Sequence, residues 1–268
     1  MIEIRTPLCK LAFIVFSAYL YAQPSTQAKW IQRLLPPEAR IIETADLKTN
    51  EGQPRSLVLW MLHPTRVKRH REALTCSDDV YGDHWYGLTR LSLLDAGRKS
   101  LINTIEVQDS MMTNGGSDDG FAVPYFVSNI AYEVPRADRQ GEGAPLILSL
   151  KDLTGEGVAG QFVLASYVAC GISGTSVFGY SSRRDQATQY QVEINEEGEK
   201  PKLEWWVPRI FHAQPVHPGQ WDYSWEPGHG CDCIIHDQVE FDRARQVFVD
   251  QRRVTPYASV IVPKPTKQ

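Results

Sequence analysis

Short segments with the character of β-strands recur along most of this chain, and turn residues separate them. The clearest pair is Leu88–Asp95 and Leu101–Val107, because apolar and polar residues alternate in each and a short linker with Gly97 joins them. Leu57–Leu62 is instead continuously apolar, as expected of a buried strand. The pattern predicts a mainly β protein whose antiparallel sheets form a sandwich, a barrel or a partial propeller.

Further segments follow the same pattern of strand residues between turns. They are Ala122–Val134, Pro145–Leu150, Gln161–Ala169, Thr175–Tyr180, Gln189–Ile194, Leu203–Val207 and Gln220–Trp225. A last hairpin is expected from Gln238–Asp242 and Gln246–Val249, with Arg243-Ala244-Arg245 as its turn. One short helix over Trp30–Leu35 is expected before the strands, since Pro36-Pro37 stops it.

The first residues have the pattern of a signal peptide. Arg5 and Lys10 precede an apolar run, Leu11–Ala22, which is shorter than the roughly 20 residues that span a bilayer. A buried N-terminal helix is the alternative. We expect cleavage after Ala22 and a secreted or periplasmic product with no retained membrane helix. The predicted organisation is a signal peptide (1–22), a polar leader with a short helix (23–55), a single β domain (56–255) and a Pro-rich tail (256–268).

Four cysteines remain after the predicted cleavage: Cys76, Cys170, Cys231 and Cys233. An even number in an exported chain favours disulfides. Four cysteines allow three connectivities, and the sequence does not choose among them. A bridge between Cys231 and Cys233 would close a very tight ring, so links to Cys76 or Cys170 are expected to be less strained.

The segment from Asp152 to Gly157 (DLTGEG) has the pattern of a calcium loop. Oxygen-bearing side chains alternate along it, and glycine allows the sharp turn that such a loop needs. The candidate ligands are the side chains of Asp152, Thr154 and Glu156 and the backbone carbonyl of Val158. Only two of these ligands carry charge, so calcium would bind weakly. We do not expect the protein to require a cofactor.

This loop resembles the calcium loop of FG-GAP/VCBS-type repeats, as in the propeller blades of integrin α-chains. The phrases GLTRLSLLD, LINTIEV and TSVFGYSSRRDQATQYQVE resemble exported bacterial proteins of unknown function that carry one such blade-like segment. The resemblance implies a β fold and an exported location, and it brings no established activity. The family's loop usually has Asn or Asp where this chain has Thr154, and Asp where it has Glu156.

A second cluster, His229–His236, holds two histidines and two cysteines that could surround zinc or copper. Zinc sites usually place at least two residues between their cysteines, and export favours oxidised sulfur. A disulfide is therefore the preferred interpretation of Cys231 and Cys233.

Motifs for catalysis are missing from the sequence. There is no G-x-S-x-G, H-E-x-x-H, P-loop or G-x-G-x-x-G pattern. The alternative to a non-catalytic protein is an extracellular hydrolase that acts on glycans. Its candidate acids, with one nearby histidine, are Asp78, Asp79, Asp83, His84, Asp118 and Asp119.

Composition narrows the class of partner. The formal net charge is −4 and no basic stripe is present, which argues against nucleic acid. Four tryptophans are interpreted first as aromatics of the core and its rim, with a stacking platform for glycans as the alternative. These are Trp205, Trp206, Trp221 and Trp225. The sequence favours an exported β protein with a structural or binding role and an unknown protein or glycan partner.

Overall fold

A computed structural model describes residues 26–67, 84–107, 121–123, 147–168, 172–208, 210–227 and 231–257. The helix α1 covers Thr26–Gln32. The described strands form three sheets, and a short 3-10 helix covers Ile210–His212. No helix in the described ranges is both long enough and apolar enough to cross a membrane.

The first sheet is an antiparallel meander in chain order, with one additional strand. Its strands are β1 (Arg40–Lys48), β2 (Pro54–Val67), β3 (His84–Asp95), β4 (Ser100–Glu106) and β5 (Phe121–Val123). β5 pairs with the beginning of β3. In β4, Ile102 and Ile105 are half-buried against the neighbouring apolar core, whereas Leu101, Thr104 and Glu106 are exposed.

The second sheet is smaller and has β7 at its centre. Its strands are β6 (Gln161–Val168), β7 (Ile172–Ser181), β8 (Gln186–Tyr190) and β11 (Val207–Pro208). All pairings in it are antiparallel. Among the described strands β6 pairs only with β7, so it is an edge strand of this sheet.

The third sheet carries the C-terminal hairpin. Its strands are β9 (Val192–Glu196), β10 (Lys202–Glu204), β12 (Gln220–Trp225), β13 (Cys233–Asp242) and β14 (Val247–Pro256). The order is β10-β9-β14-β13-β12. One pair, β14 with β9, is parallel, and the others are antiparallel.

Two apolar interfaces stack these sheets in layers. The leucine-rich interface joins the first and second sheets and includes Leu47, Leu57, Leu59, Leu91, Leu93, Phe162 and Phe178. The aromatic interface joins the second and third sheets and includes Tyr190, Phe211, Trp221, Phe241 and Phe248. Neighbouring residues of β7 serve both, because Phe178 packs in the first and Val177 in the second. The second sheet is therefore the middle layer.

The helix packs against the outer face of the first sheet. Ile31 and Leu35 lie in a cluster with Val58, Trp60 and Leu94. Because Leu57 and Leu59 face the opposite layer, β2 is buried on both faces. That arrangement explains the continuous apolar run in β2.

The mainly β, antiparallel fold with one short N-terminal helix is confirmed, and the sheets are open and consistent with a sandwich. The segment 23–55, expected to be a leader with a helix, also contains β1. Its RIIETADLK sequence carries charge at four of nine positions, and Leu47 is its one buried residue. The helix begins before Trp30 and ends at Gln32.

Three strand boundaries differ from the prediction. β2 continues past His63-Pro64, because its register shifts between Leu62 and Thr65 and so accommodates the proline. Gly87 opposite this shift has no room for a side chain, since a Cβ would lie 2.9 Å from the Leu62 carbonyl oxygen. Residues 147 and 148 form a turn and 149–150 have no regular secondary structure, so the described part of Pro145–Leu150 is not a strand. The expected strand Gln189–Ile194 is divided between β8 and β9.

Candidate functional site

A cleft opens beside the beginning of β6. Lys151 and Gln161 form an isolated antiparallel bridge, with Lys151 N donating to Gln161 O at 2.8 Å and Gln161 N to Lys151 O at 3.0 Å. The residues before Lys151 make no further bridge to β6 within the described chain. The two segments therefore separate, and the cleft lies between them.

Glu43 holds the separating segment in place. This residue follows the register shift in β1, and its carboxylate accepts hydrogen bonds from Ile147 N at 2.9 Å and Leu148 N at 3.2 Å. Burial raises the pKa of Glu43, although the two backbone donors act in the opposite direction. Leu148 is itself buried in the leucine-rich interface, which fixes this wall of the cleft.

The other wall belongs to the aromatic interface. Leu153, Phe211 and Trp221 line a cavity of about 190 Å³. The Phe211 and Trp221 rings meet edge to face with centroids 5.2 Å apart. Trp221 Nε1 donates to the carbonyl oxygen of Ala213 at 3.2 Å, so its polar atom is satisfied at the wall. The result is a preformed apolar floor.

Polar side chains surround the opening. Ser149, Lys151 and Gln214 line the cleft and are exposed. Lys151 Nζ lies 3.4 Å from Gln214 Oε1, which connects the two sides of the rim. Val216, which follows the cleft residue Pro215, is 57% exposed. The cleft thus combines an apolar floor with donors, acceptors and one positive charge at its mouth.

The Asp152 loop adjoins the cleft and is a closed structural turn. Asp152 Oδ1 accepts from Glu156 N at 3.1 Å, and Oδ2 accepts from Gly157 N at 2.8 Å. Gly155 has a φ of +69°, and a Cβ there would lie 2.7 Å from the Pro218 carbonyl oxygen. The buried amide of Gln161 joins the loop to β7, because it accepts from Leu153 N and donates to Tyr180 O.

Two of the other predicted calcium ligands also accept hydrogen bonds from the protein, and the third has no partner among the described residues. Glu156 accepts from Ser182 Oγ at 2.7 Å and from Gln246 Nε2 at 2.9 Å. The Val158 carbonyl accepts from Gly160 N at 2.9 Å. Thr154 Oγ1 is buried and has no hydrogen-bond partner in the described structure.

These oxygens do not form a calcium shell as placed. The Arg243 guanidinium donates to the Gly155 carbonyl, so a protein cation already lies against the loop. The described ranges contain no group of three or more His, Cys, Asp and Glu residues that could hold a metal ion. Calcium binding stays a prediction, since an ion would have to replace hydrogen bonds that the loop already makes.

Cys231 and Cys233 are paired with each other across a Cα separation of 5.3 Å. This separation lies within the usual range for a disulfide, about 4.4–6.8 Å. The expectation that these residues prefer links to Cys76 or Cys170 therefore differs from the structure. The extended backbone at the beginning of β13 holds the two side chains on the same side despite the small ring. Cys76 and Cys170 lie outside the described residues.

A buried ionic cluster, which no pattern in the sequence indicates, lies on the inner face of the third sheet. Asp237 and Asp250 are fully buried, and Arg252 is nearly so. Asp237 accepts from Arg252 Nε at 2.7 Å and from Trp225 Nε1 at 2.6 Å. Arg252 Nη2 lies 3.3 Å from Asp250 Oδ2 without forming a hydrogen bond.

Asp250 is the unusual member of this cluster. Burial, followed by the neighbouring Asp237 carboxylate, raises its pKa to about 8, and the nearby Arg252 only partly opposes this. Neither Asp250 carboxyl oxygen has a hydrogen-bond partner among the described residues. The raised pKa keeps this carboxyl protonated at neutral pH, and burying a neutral group without a partner costs less than burying a carboxylate.

The four highlighted tryptophans have different environments. Trp206 packs edge to face on Phe178, Trp221 lines the cleft and Trp225 binds Asp237. Trp205 is 48% exposed, in a turn after β10. The structure therefore brings only Trp221 to the cleft, and the four rings do not form one platform.

Most of the hydrolase candidates cannot be placed. Asp78, Asp79, Asp83, Asp118 and Asp119 lie outside the described residues, as does His229. His84 begins β3, but its side chain is not described. His236 Nδ1 lies 2.6 Å from Ser224 Oγ across the β12–β13 pair, away from the Cys231–Cys233 bridge.

The sequence alone did not locate the cleft. Its residues come from 147–153, from β6 and from 211–221, and no spacing rule joins these three regions. Two features that the sequence singled out lie at the cleft: Trp221, and the Asp152 loop, whose Leu153 lies in the cleft wall. Comparisons with protein families, with curated proteins and with solved structures find no match for this chain.

Proposed function

We propose that this chain is an exported binding protein, and that the cleft beside β6 is its site for a protein or glycan partner. The observation that carries the proposal is the built character of the cleft. Buried Leu153, Phe211 and Trp221 form an apolar floor, and exposed polar groups surround the mouth. Apolar pockets with a few convergent polar groups are typical of ligand sites.

The size of the cleft limits what enters it. Its volume of about 190 Å³ is below the roughly 300–1,000 Å³ of sites that enclose a drug-sized ligand. The cleft therefore takes one group of a larger partner, and the rest of that partner lies across the rim. Lys151 and Gln214 favour an acceptor or a negative charge next to the inserted group.

The composition of the cleft supports binding over acid–base catalysis. Among the described residues that line the cleft, Lys151 is the one with a titratable side chain. General acid–base chemistry on a glycan needs two carboxyl groups about 5–9.5 Å apart. The hydrolase alternative thus depends on the acids at 78–83 and 118–119, which lie outside the described residues.

A titration observed by NMR tests this function. The ¹⁵N-labelled protein is titrated with two panels of probes, neutral and acidic oligosaccharides and short synthetic peptides. We expect at least one probe to shift the Trp221 indole N–H signal saturably, because Trp221 lines the cleft. The buried Trp60 indole, which donates to Ser92 Oγ, is the internal control and should not move.

Matched variants localise the effect to the cleft. Lys151→Glu should weaken the binding of acidic probes, whereas Lys200→Glu, on the exposed turn before β10, should leave it unchanged. If no probe in either panel moves the Trp221 signal, the cleft is not a ligand site and the proposal fails.

The exported location has its own test. The sequence predicts an N-terminus near Gln23 in protein from the native host, because the apolar run ends at Ala22. Mass spectrometry of the mature protein measures that terminus. An intact Met1 in a cytosolic fraction would contradict export without bearing on the cleft.

A further inference from the structure

The backbone of β6 presents hydrogen-bonding groups to the cleft. Gln161 N and O point to the outer edge, because both bond to Lys151. On the opposite edge Gly160 O accepts from Tyr180 N at 2.8 Å, as the β7 pairing requires. Successive residues of a strand alternate in this direction. Val163 N–H and C=O therefore point to the same outer edge as those of Gln161.

The edge at Val163 is open within the described chain. β6 pairs with β7 on one side, and the bridge to Lys151 is its one described pairing on the other. Val163 also lines the cleft, beside Phe162. An open strand edge is a template for pairing with another extended chain. Lys151 shows that this edge already accepts an antiparallel partner.

We propose that the partner is an extended peptide segment of another protein, which adds to the β6 edge at Val163 and inserts one large apolar side chain into the cleft. The proposal rests on the proposed function and names the partner for the same site. Main-chain hydrogen bonds supply affinity in this mode of recognition, and a pocket for one side chain supplies specificity. An acidic residue in the peptide complements Lys151 at the rim.

The geometry of the aromatic floor favours a peptide over a glycan. Sugars stack on accessible ring faces, but Trp221 is 3% exposed and Phe211 is 5% exposed. Their rings form the end of a small cavity rather than a platform. A single branched or aromatic side chain fits such a cavity, and an edge strand offers its donors and acceptors in the spacing of an extended peptide.

Backbone methylation of the peptide is the sharpest test. The probe is a synthetic library of seven-residue peptides, and binding to the full mature chain is measured by fluorescence anisotropy. We expect the tightest peptides to combine one large apolar residue with an acidic one. N-methylation should weaken them about 2- to 12-fold at alternate positions, the effect of losing one hydrogen bond. The intervening positions should tolerate the methyl group.

Variants of the protein test the companion hydrogen bond, in which Val163 N–H donates to a peptide carbonyl. Val163→Pro removes the outward N–H without removing a bond to β7, which an edge strand tolerates. It should weaken binding about 2- to 12-fold relative to Val163→Ala, which keeps the N–H. Lys151→Ala should weaken binding roughly 1.5- to 5-fold, and Lys200→Ala should have no effect. If Val163→Pro fails to fold, the methylation series on the unaltered chain still decides.

The outcomes separate this inference from the function on which it rests. If peptides bind but tolerate methylation at every position, strand addition is wrong. If oligosaccharides shift Trp221 and no peptide binds, the cleft is a glycan site and only this inference fails. If neither class of probe binds, both proposals fail.

Discussion

The two interfaces of this layered fold are built from different side chains. The first sheet contributes leucines to the leucine-rich interface, including Leu57, Leu59 and Leu91. The aromatic interface is built around Phe248, whose ring meets those of Tyr190, Phe211, Trp221 and Phe241 at centroid distances of 4.9–5.9 Å. Aromatic rings favour such edge-to-face arrangements because of their quadrupoles, whereas leucines pack without a directional preference.

The ring floor of the cleft and the buried ionic cluster lie on the aromatic side, while the opposite wall of the cleft belongs to the leucine-rich interface. The cleft is bounded by Phe211 and Trp221, and the Asp237–Asp250–Arg252 cluster occupies the same inner face of the third sheet. The leucine-rich side has its own ion pair, but there Arg55 meets an Asp185 that is 46% exposed. The comparison indicates that both interfaces form the core and that the aromatic one also supplies the ring floor of the cleft.

The largest expected effect comes from opening the aromatic interface. Phe248→Ala should lower the free energy of unfolding by about 3–5 kcal/mol, because a fully buried ring that contacts four others is lost. Leu91→Ala, its counterpart in the leucine-rich interface, should cost about 2–5 kcal/mol. Urea denaturation measures both values.

Near-UV circular dichroism separates the two substitutions. Phe248→Ala should change the aromatic signal of the folded protein and disturb probe binding at the cleft, whereas Leu91→Ala should do neither. Equal spectral changes in both variants would show that the two interfaces are not independent.

The next effect is on the pH dependence of the free energy of unfolding, and it follows from the raised pKa of Asp250. The folded state holds the Asp250 proton up to about pH 8, whereas the unfolded chain releases it near pH 4. Between these values the folded state binds more protons, so stability falls as pH rises, by up to about 1.4 kcal/mol per pH unit. Above about pH 8 this contribution levels off. Equilibrium denaturation at several pH values measures the slope.

Substitution isolates this contribution from the other titrating groups. The groups that act on Asp250 are Asp237, Arg252 and Glu196. Asp250→Asn should flatten the pH slope and should be more stable than the unaltered protein at pH 8. Asp222→Asn, on the exposed face of β12, is the control and should keep the slope. An unchanged slope in Asp250→Asn would show that Asp250 is ionised in the folded protein.

A smaller effect is expected from the cysteine pair at the beginning of β13. Reduction of Cys231–Cys233 should lower the free energy of unfolding by roughly 1–2 kcal/mol, since a ring this small removes little entropy from the unfolded chain. Thiol labelling of the denatured, unreduced protein should leave both residues unlabelled. Two labelled thiols at these positions, in protein from its native compartment, would contradict the pairing.

The sequence predicted what depends on local pattern. The hairpin between β3 and β4 and the hairpin around Arg243-Ala244-Arg245 were both located, because alternation and turn residues define them. It did not predict β1, because this strand has many polar residues and Leu47 is its one buried residue. Nor did it predict the cleft, which forms where separate parts of the chain meet, or the burial of Asp237 and Asp250 on the paired strands β13 and β14. A buried aspartate in a strand looks like an exposed one until its neighbours are known.

The Asp152 loop connects the two interfaces, because Leu153 packs in the aromatic one and Val158 in the leucine-rich one. Calcium at this loop would therefore stabilise both together. At a Kd of about 10⁻⁴–10⁻³ M, 1 mM calcium would add about 0.4–1.4 kcal/mol to the free energy of unfolding. We expect an effect at the low end, since both Asp152 oxygens already accept backbone hydrogen bonds.

Melting temperature against calcium concentration measures this effect, with magnesium as the matched control ion. A rise that saturates at millimolar calcium and is lost in Asp152→Ala would identify a weak ion site superimposed on the turn. If the melting temperature does not move at 10 mM calcium, the Arg243 contact with the Gly155 carbonyl is the only cationic support of the loop among the described residues. A large rise at micromolar calcium would contradict the placement of Glu156 against Ser182 and Gln246, because that carboxylate would have to turn toward the ion.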